Sequence, residues 1–108
     1  MSLWRQALMA RQVVGKQLNV LYLIDGRAAV SGDFLRARQR LMRWQNVTAR
    51  LLADSISPEI GQEFTAKCDD FTCVTDLDSW SQVRLVYQTY LYQLLEELKY
   101  SPENVLSP

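Results

Sequence analysis

The chain has 108 residues and no histidine, which removes the commonest general base and metal ligand. Without an imidazole neither a Ser-His-Asp nor a Cys-His nucleophile system can be assembled. Glu96 and Glu97 are adjacent and point in different directions on a helix, which suits a solvated helix end rather than an acid/base pair. Cys68-Asp69-Asp70 and Asp76-Leu77-Asp78 group acids densely enough to suggest a cation site. Neither is followed by the ordered Gly and terminal Glu of a calcium loop, so helix capping and solvation are expected instead. Cys68 and Cys73 are spaced C-x4-C, not as a redox C-x-x-C, and two thiols without a histidine cannot close a zinc site. They read as reduced, partly buried thiols of a cytoplasmic protein. The glycines Gly15, Gly26, Gly32 and Gly61 are scattered, so no phosphate-cradling loop is present. These residues imply no catalytic group, no metal site and no cofactor.

The arginines carry more information. Twelve Lys+Arg balance 12 Asp+Glu, which excludes a strongly basic nucleic-acid binder and an acidic tail. The balance is only global. Residues 1–50 hold nine basic and two acidic residues, a charge of +7; residues 51–108 hold three basic and ten acidic residues, a charge of −7. Arg36, Arg40, Arg43 and Arg50 follow one another at intervals of four, three and seven, which keeps them on one narrow helical strip. A guanidinium makes planar, two-pronged contacts with carboxylates and phosphates alike. Two expectations stand: the halves neutralise each other within one molecule, or the strip faces a partner. Among partners, a protein, including another copy of this chain, is favoured over nucleic acid, because no nucleic-acid motif accompanies the strip.

Four apolar residues fall outside the main helical stripes: Leu35 and Met42, then Leu85 and Tyr92, each pair seven apart. They are candidates for an apolar contact surface; the alternative is that a neighbouring helix covers them. Tyr87 and Tyr90, with Trp80 nearby, would suit a base-stacking platform, but their spacing fits core positions with hydroxyls at the edge.

These side chains must be positioned by helices. Leu3, Ala7, Ala10, Val14, Leu18 and Leu21 recur at helical spacing and predict a helix from about Ser2 to Ile24. Its end is ambiguous. Asn19 to Val30 also reads as a β-hairpin turning at Asp25-Gly26. A second helix is predicted from about Asp33 to Ser55, capped by Ser31 or Asp33. Ser57-Pro58-Glu59 is a strong start for a short third helix. A fourth runs from about Asp78 to Tyr100, capped by Asp76 or Asp78 and stopped by Ser101-Pro102. The fold class is therefore all-α: a small antiparallel bundle of three longer helices and one short one. Residues 1–100 form one domain, with 101–108 as a flexible tail or truncated linker. The longest apolar run, Val20 to Ile24, is far shorter than a membrane span.

The stretch Arg43-Trp44-x3-Thr48-x2-Leu51-Leu52 carries a resemblance. It is followed by the Glu59/Phe64 segment and by a final helix with Leu91, Leu94, Leu95 and Leu98. Over residues 30–100 this resembles helical regions that accompany bacterial predicted nucleotide-binding and TIR-like defence proteins. The resemblance implies a non-catalytic adaptor or oligomerisation module attached to an effector, and it carries no site residues over. The sequence thus points to an interaction module. Arg36, Arg40, Arg43 and Arg50 are its positive element, and Leu35, Met42, Leu85 and Tyr92 its apolar one.

Overall fold

A computed structural model describes residues 2–69 and 77–106, with backbone alone for Phe34, Cys68, Asp69 and residues 77–79. The two cysteines, the acids of the 69–78 stretch and the capping roles of Asp76 and Asp78 lie outside the described residues or side chains.

Four helices follow one another: α1 (Leu3–Ser31), α2 (Phe34–Ser55), α3 (Pro58–Asp69) and α4 (Leu77–Tyr100), then a short 3-10 turn over Pro102–Asn104. The all-α bundle is as expected from the periodicity. Local chemistry sets most ends. The Ser2 hydroxyl accepts the Arg5 N–H at 3.2 Å, the Asp33 carboxylate accepts the Arg36 N–H at 3.0 Å, and the Ser57 hydroxyl accepts the Ile60 N–H at 3.2 Å. Each satisfies one of the donors that a helix start leaves without an intrahelical acceptor.

The first helix does not stop at Ile24, nor does the chain form a hairpin there. It continues to Ser31 and ends at Gly32, whose φ of 70° is the left-handed conformation that glycine adopts freely. The tight hairpin turn would need positive φ at its centre, and Gly32 alone has it among the described residues. Two things hold Asp25-Gly26 in the helix. Ile24 and Ala28 continue the buried stripe of Leu18 and Leu21. Asp25 itself reaches across to α4, where its carboxylate accepts the Trp80 indole N–H at 2.5 Å and lies 3.3 Å from the Arg84 Nε. Arg84 places its other arm 2.8 Å from the Gln88 side-chain oxygen.

α1 runs the 45 Å length of the molecule and packs against α2 on one flank and α4 on the other, antiparallel to both. α3 covers one side of this layer. Its Phe64 enters an aromatic cluster with Trp44, Tyr87 and Tyr90, at ring-centre separations of 5.7, 5.6 and 6.0 Å respectively. Trp44 meets Tyr87 edge-on at 5.4 Å. Such pairs add about 0.5–1.5 kcal/mol each beyond area burial. α3 approaches α2 closely because Gly61 has no side chain: a Cβ there would stand 2.8 Å from the Ala53 Cβ and 2.9 Å from the Ala49 carbonyl oxygen.

The segment after Tyr100 does not leave the body as a free tail over its described part. Pro102 and Leu106 are buried and Leu106 joins the core. An apolar residue six positions past the helix end can fold back onto the bundle, and the 3-10 turn supplies the reversal.

Gly61→Ala is expected to destabilise the fold by about 1–3 kcal/mol in urea denaturation, because the added methyl overlaps backbone and Ala53. A stabilised variant would show that the α2–α3 approach is looser than described. Asp25→Ala leaves the Trp80 N–H and the Arg84 guanidinium without their acceptor. A loss of about 1–3 kcal/mol is expected, and an unchanged urea midpoint would show that these contacts contribute nothing.

Candidate functional site

Among the described residues no helix covers the side of the helical layer away from α3, and the strongest surface features gather there. A groove of about 540 Å³ runs between the C-terminal half of α1 and the start of α2. Leu23, Arg27 and Val30 come from α1, and Arg36 and Arg40 from α2. Spacings of four and three residues bring the first three onto one edge of α1. Val30 is 90% exposed and Leu23 64% exposed. Open aliphatic side chains therefore stand among three guanidinium groups in the lining.

Among the described residues those cations have little to answer them. Asp33 lines the groove, but one of its oxygens already caps α2. Among the described residues the one ion pair is Asp25 with Arg84, on the other flank of α1. Arg36, Arg40, Arg43 and Arg50 take no part in it, so the described structure does not show neutralisation of the strip within the molecule.

The sequence-derived residues separate into groups. Arg36 and Arg40 stand in the groove, and Arg43 is exposed further along α2. Arg50 lines a different shallow surface, with Ala53 of α2 and Pro58, Gly61 and Thr65 of α3. Leu35 and Met42 are exposed, but not beside the groove: Met42 lies two residues past Arg40, about 160° around the helix axis. Leu85 and Tyr92 are exposed on α4. Tyr92 joins the open face, because its hydroxyl is 2.7 Å from that of Tyr22, which also lines the groove. Tyr87 and Tyr90 are core residues. Tyr90 donates weakly to the Ile60 carbonyl at 3.5 Å, and its hydroxyl is pushed well above the ordinary phenol range by burial and by the nearby negative charge of Glu63. Neither is placed as a stacking platform.

Leu23, Arg27 and Val30 were not among the expected site residues. Their signal was present as a continuing helical spacing, hidden behind the turn-like Asp25-Gly26. Chemically the arrangement offers cations and aliphatic surface. Among the described residues no three Cys, Asp or Glu side chains converge to hold a metal ion, and no helix is long and apolar enough to cross a membrane.

The Tyr22–Tyr92 bond has a pH signature. It is the first cause that raises the Tyr22 hydroxyl above the ordinary phenol value, followed by burial; Arg84 pulls the other way. The folded state keeps this proton longer than the unfolded chain does. Its contribution is therefore complete below about pH 10, the free phenol value, and is lost as the pH rises through the folded value. Thermal unfolding followed from pH 8 upward should fall in stability beyond that point, and less steeply in Tyr92→Phe. Identical profiles in the two proteins would show that the bond is not formed in solution.

No family model, no curated protein and no solved structure matches this chain, so the assignment of a role rests on the face itself.

Proposed function

We propose that this chain is a non-catalytic protein-docking module that presents the α4–α1–α2 face to a protein partner. The observation that carries this reading is the groove in which Leu23 and Val30 lie open between Arg27, Arg36 and Arg40. An apolar centre with a charged rim is the usual anatomy of a protein contact. The centre supplies affinity by leaving water, and the rim supplies orientation and encounter rate. The number of exposed apolar side chains on α1 also favours a partner: Trp4, Leu8, Met9, Leu23 and Val30 are all exposed on one helix. The adaptor or oligomerisation role implied by the resemblance of residues 30–100 to helical regions of bacterial defence proteins agrees with this reading. In it, Arg43 extends the positive rim along α2, and Tyr92 extends the face towards α4.

The competing reading is a nucleic-acid surface using Arg36, Arg40 and Arg43. A phosphate backbone gains nothing from exposed aliphatic side chains, whereas an apolar side chain of a protein does. The two readings separate in a fluorescence-anisotropy titration of labelled single-stranded and duplex oligonucleotides at low and physiological salt. No saturable binding is expected. Binding that falls steeply with salt and disappears in an Arg36→Ala/Arg40→Ala/Arg43→Ala variant would overturn the protein-docking reading.

A further inference from the structure

We propose that the occupant of the open face is a second copy of this chain, with α1 packed antiparallel on α1 of the other copy about a two-fold axis at Asn19. The inference rests on the docking reading and names its partner.

The open edge of α1 is organised symmetrically. Leu8, Gln12 and Gly15 precede Asn19 by eleven, seven and four residues; Gly26 and Val30 follow it by seven and eleven, and Leu23 by four. At 3.6 residues per turn these positions share one face, and none of them is buried, Leu8 being 50% exposed. A two-fold axis at Asn19 sets Leu8 against Val30, Gln12 against Gly26 and Gly15 against Leu23. Each glycine then meets a long side chain, and both glycines have open space above them: a Cβ at Gly15 or Gly26 would meet nothing within 4 Å. A parallel pairing would instead stack glycine on glycine and Leu8 on Leu8, leaving gaps beside collisions. The Asn19 amides meet at the axis, where side-chain amides can bond to each other and fix register.

The charges select the same direction. Arg36 and Arg40 flank the Val30 end of α1. At the other end a cleft of about 590 Å³ holds Asp54 of α2 beside Met9, Gln12 and Lys16. Asp54 follows Arg36 by eighteen residues, five full turns, and so lies on the same side of α2. The two-fold operation therefore swings Asp54 of each copy towards Arg36 and Arg40 of the other. Such a contact uses one patch twice and closes on itself as a dimer.

The test begins with light scattering after size-exclusion chromatography of the full chain over a concentration series. The expected mass is twice the 12.5 kDa of one chain. Leu23→Arg, at an exposed position, should halve that mass with the helical circular dichroism unchanged. A monomeric parent chain, or a Leu23→Arg variant that stays dimeric, would overturn the inference. The oligonucleotide titration decides the broader docking reading separately, so a monomer that binds no nucleic acid refutes only the pairing. Direction is read by mild oxidation in a Cys68→Ser/Cys73→Ser background. Leu8→Cys mixed with Val30→Cys should form disulfide-linked dimers, and Leu8→Cys alone should not. Self-cross-linking of Leu8→Cys, with no cross-link in the mixture, would overturn the antiparallel arrangement.

Discussion

Burying Trp44 places an indole N–H in the interior, where an unmade hydrogen bond costs about 1–3 kcal/mol. The bundle is organised around the acceptor. Trp44 donates to the backbone carbonyl of Gln17 at 2.9 Å, and one turn later on α2 the Thr48 hydroxyl donates to the Gln17 side-chain oxygen at 3.1 Å. Gln17 and Thr48 are the buried polar residues among those described. Two bonds from one α2 face to one α1 residue permit a single register between these helices. Once that register is set, the Trp44 ring edges lie where Phe64 of α3 and Tyr87 of α4 can pack on them. Gln45, next to Trp44, donates to the Tyr87 hydroxyl and ties α2 to α4 beyond the reach of their backbones.

The same geometry explains why one face stays bare. Gln17, Leu18, Leu21 and Ile24 all look inward from α1, so α1 spends one side on both neighbours. α3 has only 12 residues and is drawn over the aromatic cluster, because that is where apolar area remains to be covered. Among the described residues no further helix covers the opposite side of α1. The open face is thus a rigid platform rather than a loop: α1 is fixed at its middle by Gln17 and near its C-terminal end by Asp25 bound to Trp80 and Arg84. Residues on such a platform hold their spacing, and this gives the Leu8-to-Val30 periodicity a meaning it would lack on a fraying helix.

What could be read from the sequence was local. Asp33, Ser57-Pro58 and Ser101-Pro102 set helix ends through neighbours three or four residues away, and they do so in the structure. The apolar stripes predicted nearly the whole core, including Trp44, Phe64, Tyr87 and Leu98. Asp25-Gly26 misled for the opposite reason. Its turn chemistry is local, but the partners that override it, Trp80 and Arg84, lie 55 and 59 positions on. Ending the first helix early also removed Arg27 and Val30 from view, and with them the α1 half of the groove. The spacing of Leu35 and Met42 places them off the buried stripe, and both are exposed, yet spacing does not say which flank faces a neighbour, and they diverge from Arg36 and Arg40. Pro102 and Leu106 carried no periodicity at all, so their return to the core could not be anticipated.

The charge pattern gains its meaning from the one ion pair among the described residues. Asp25 is one of only two acids in the basic half of the chain, and Arg84 one of only three bases in the acidic half. Their union therefore removes a minority charge from each half and leaves the remainder more one-signed than before. The second acid of the basic half, Asp33, is engaged as the cap of α2. Among the described residues this pair leaves the separation of charge between the halves in place, and it lies on the flank of α1 away from Arg36 and Arg40. A neutral chain built this way avoids the uniform repulsion of a highly charged one, yet presents a cationic rim along one groove. Asp54 lies on the same α2 side five turns from Arg36, beside Lys16 at the far end of the same face.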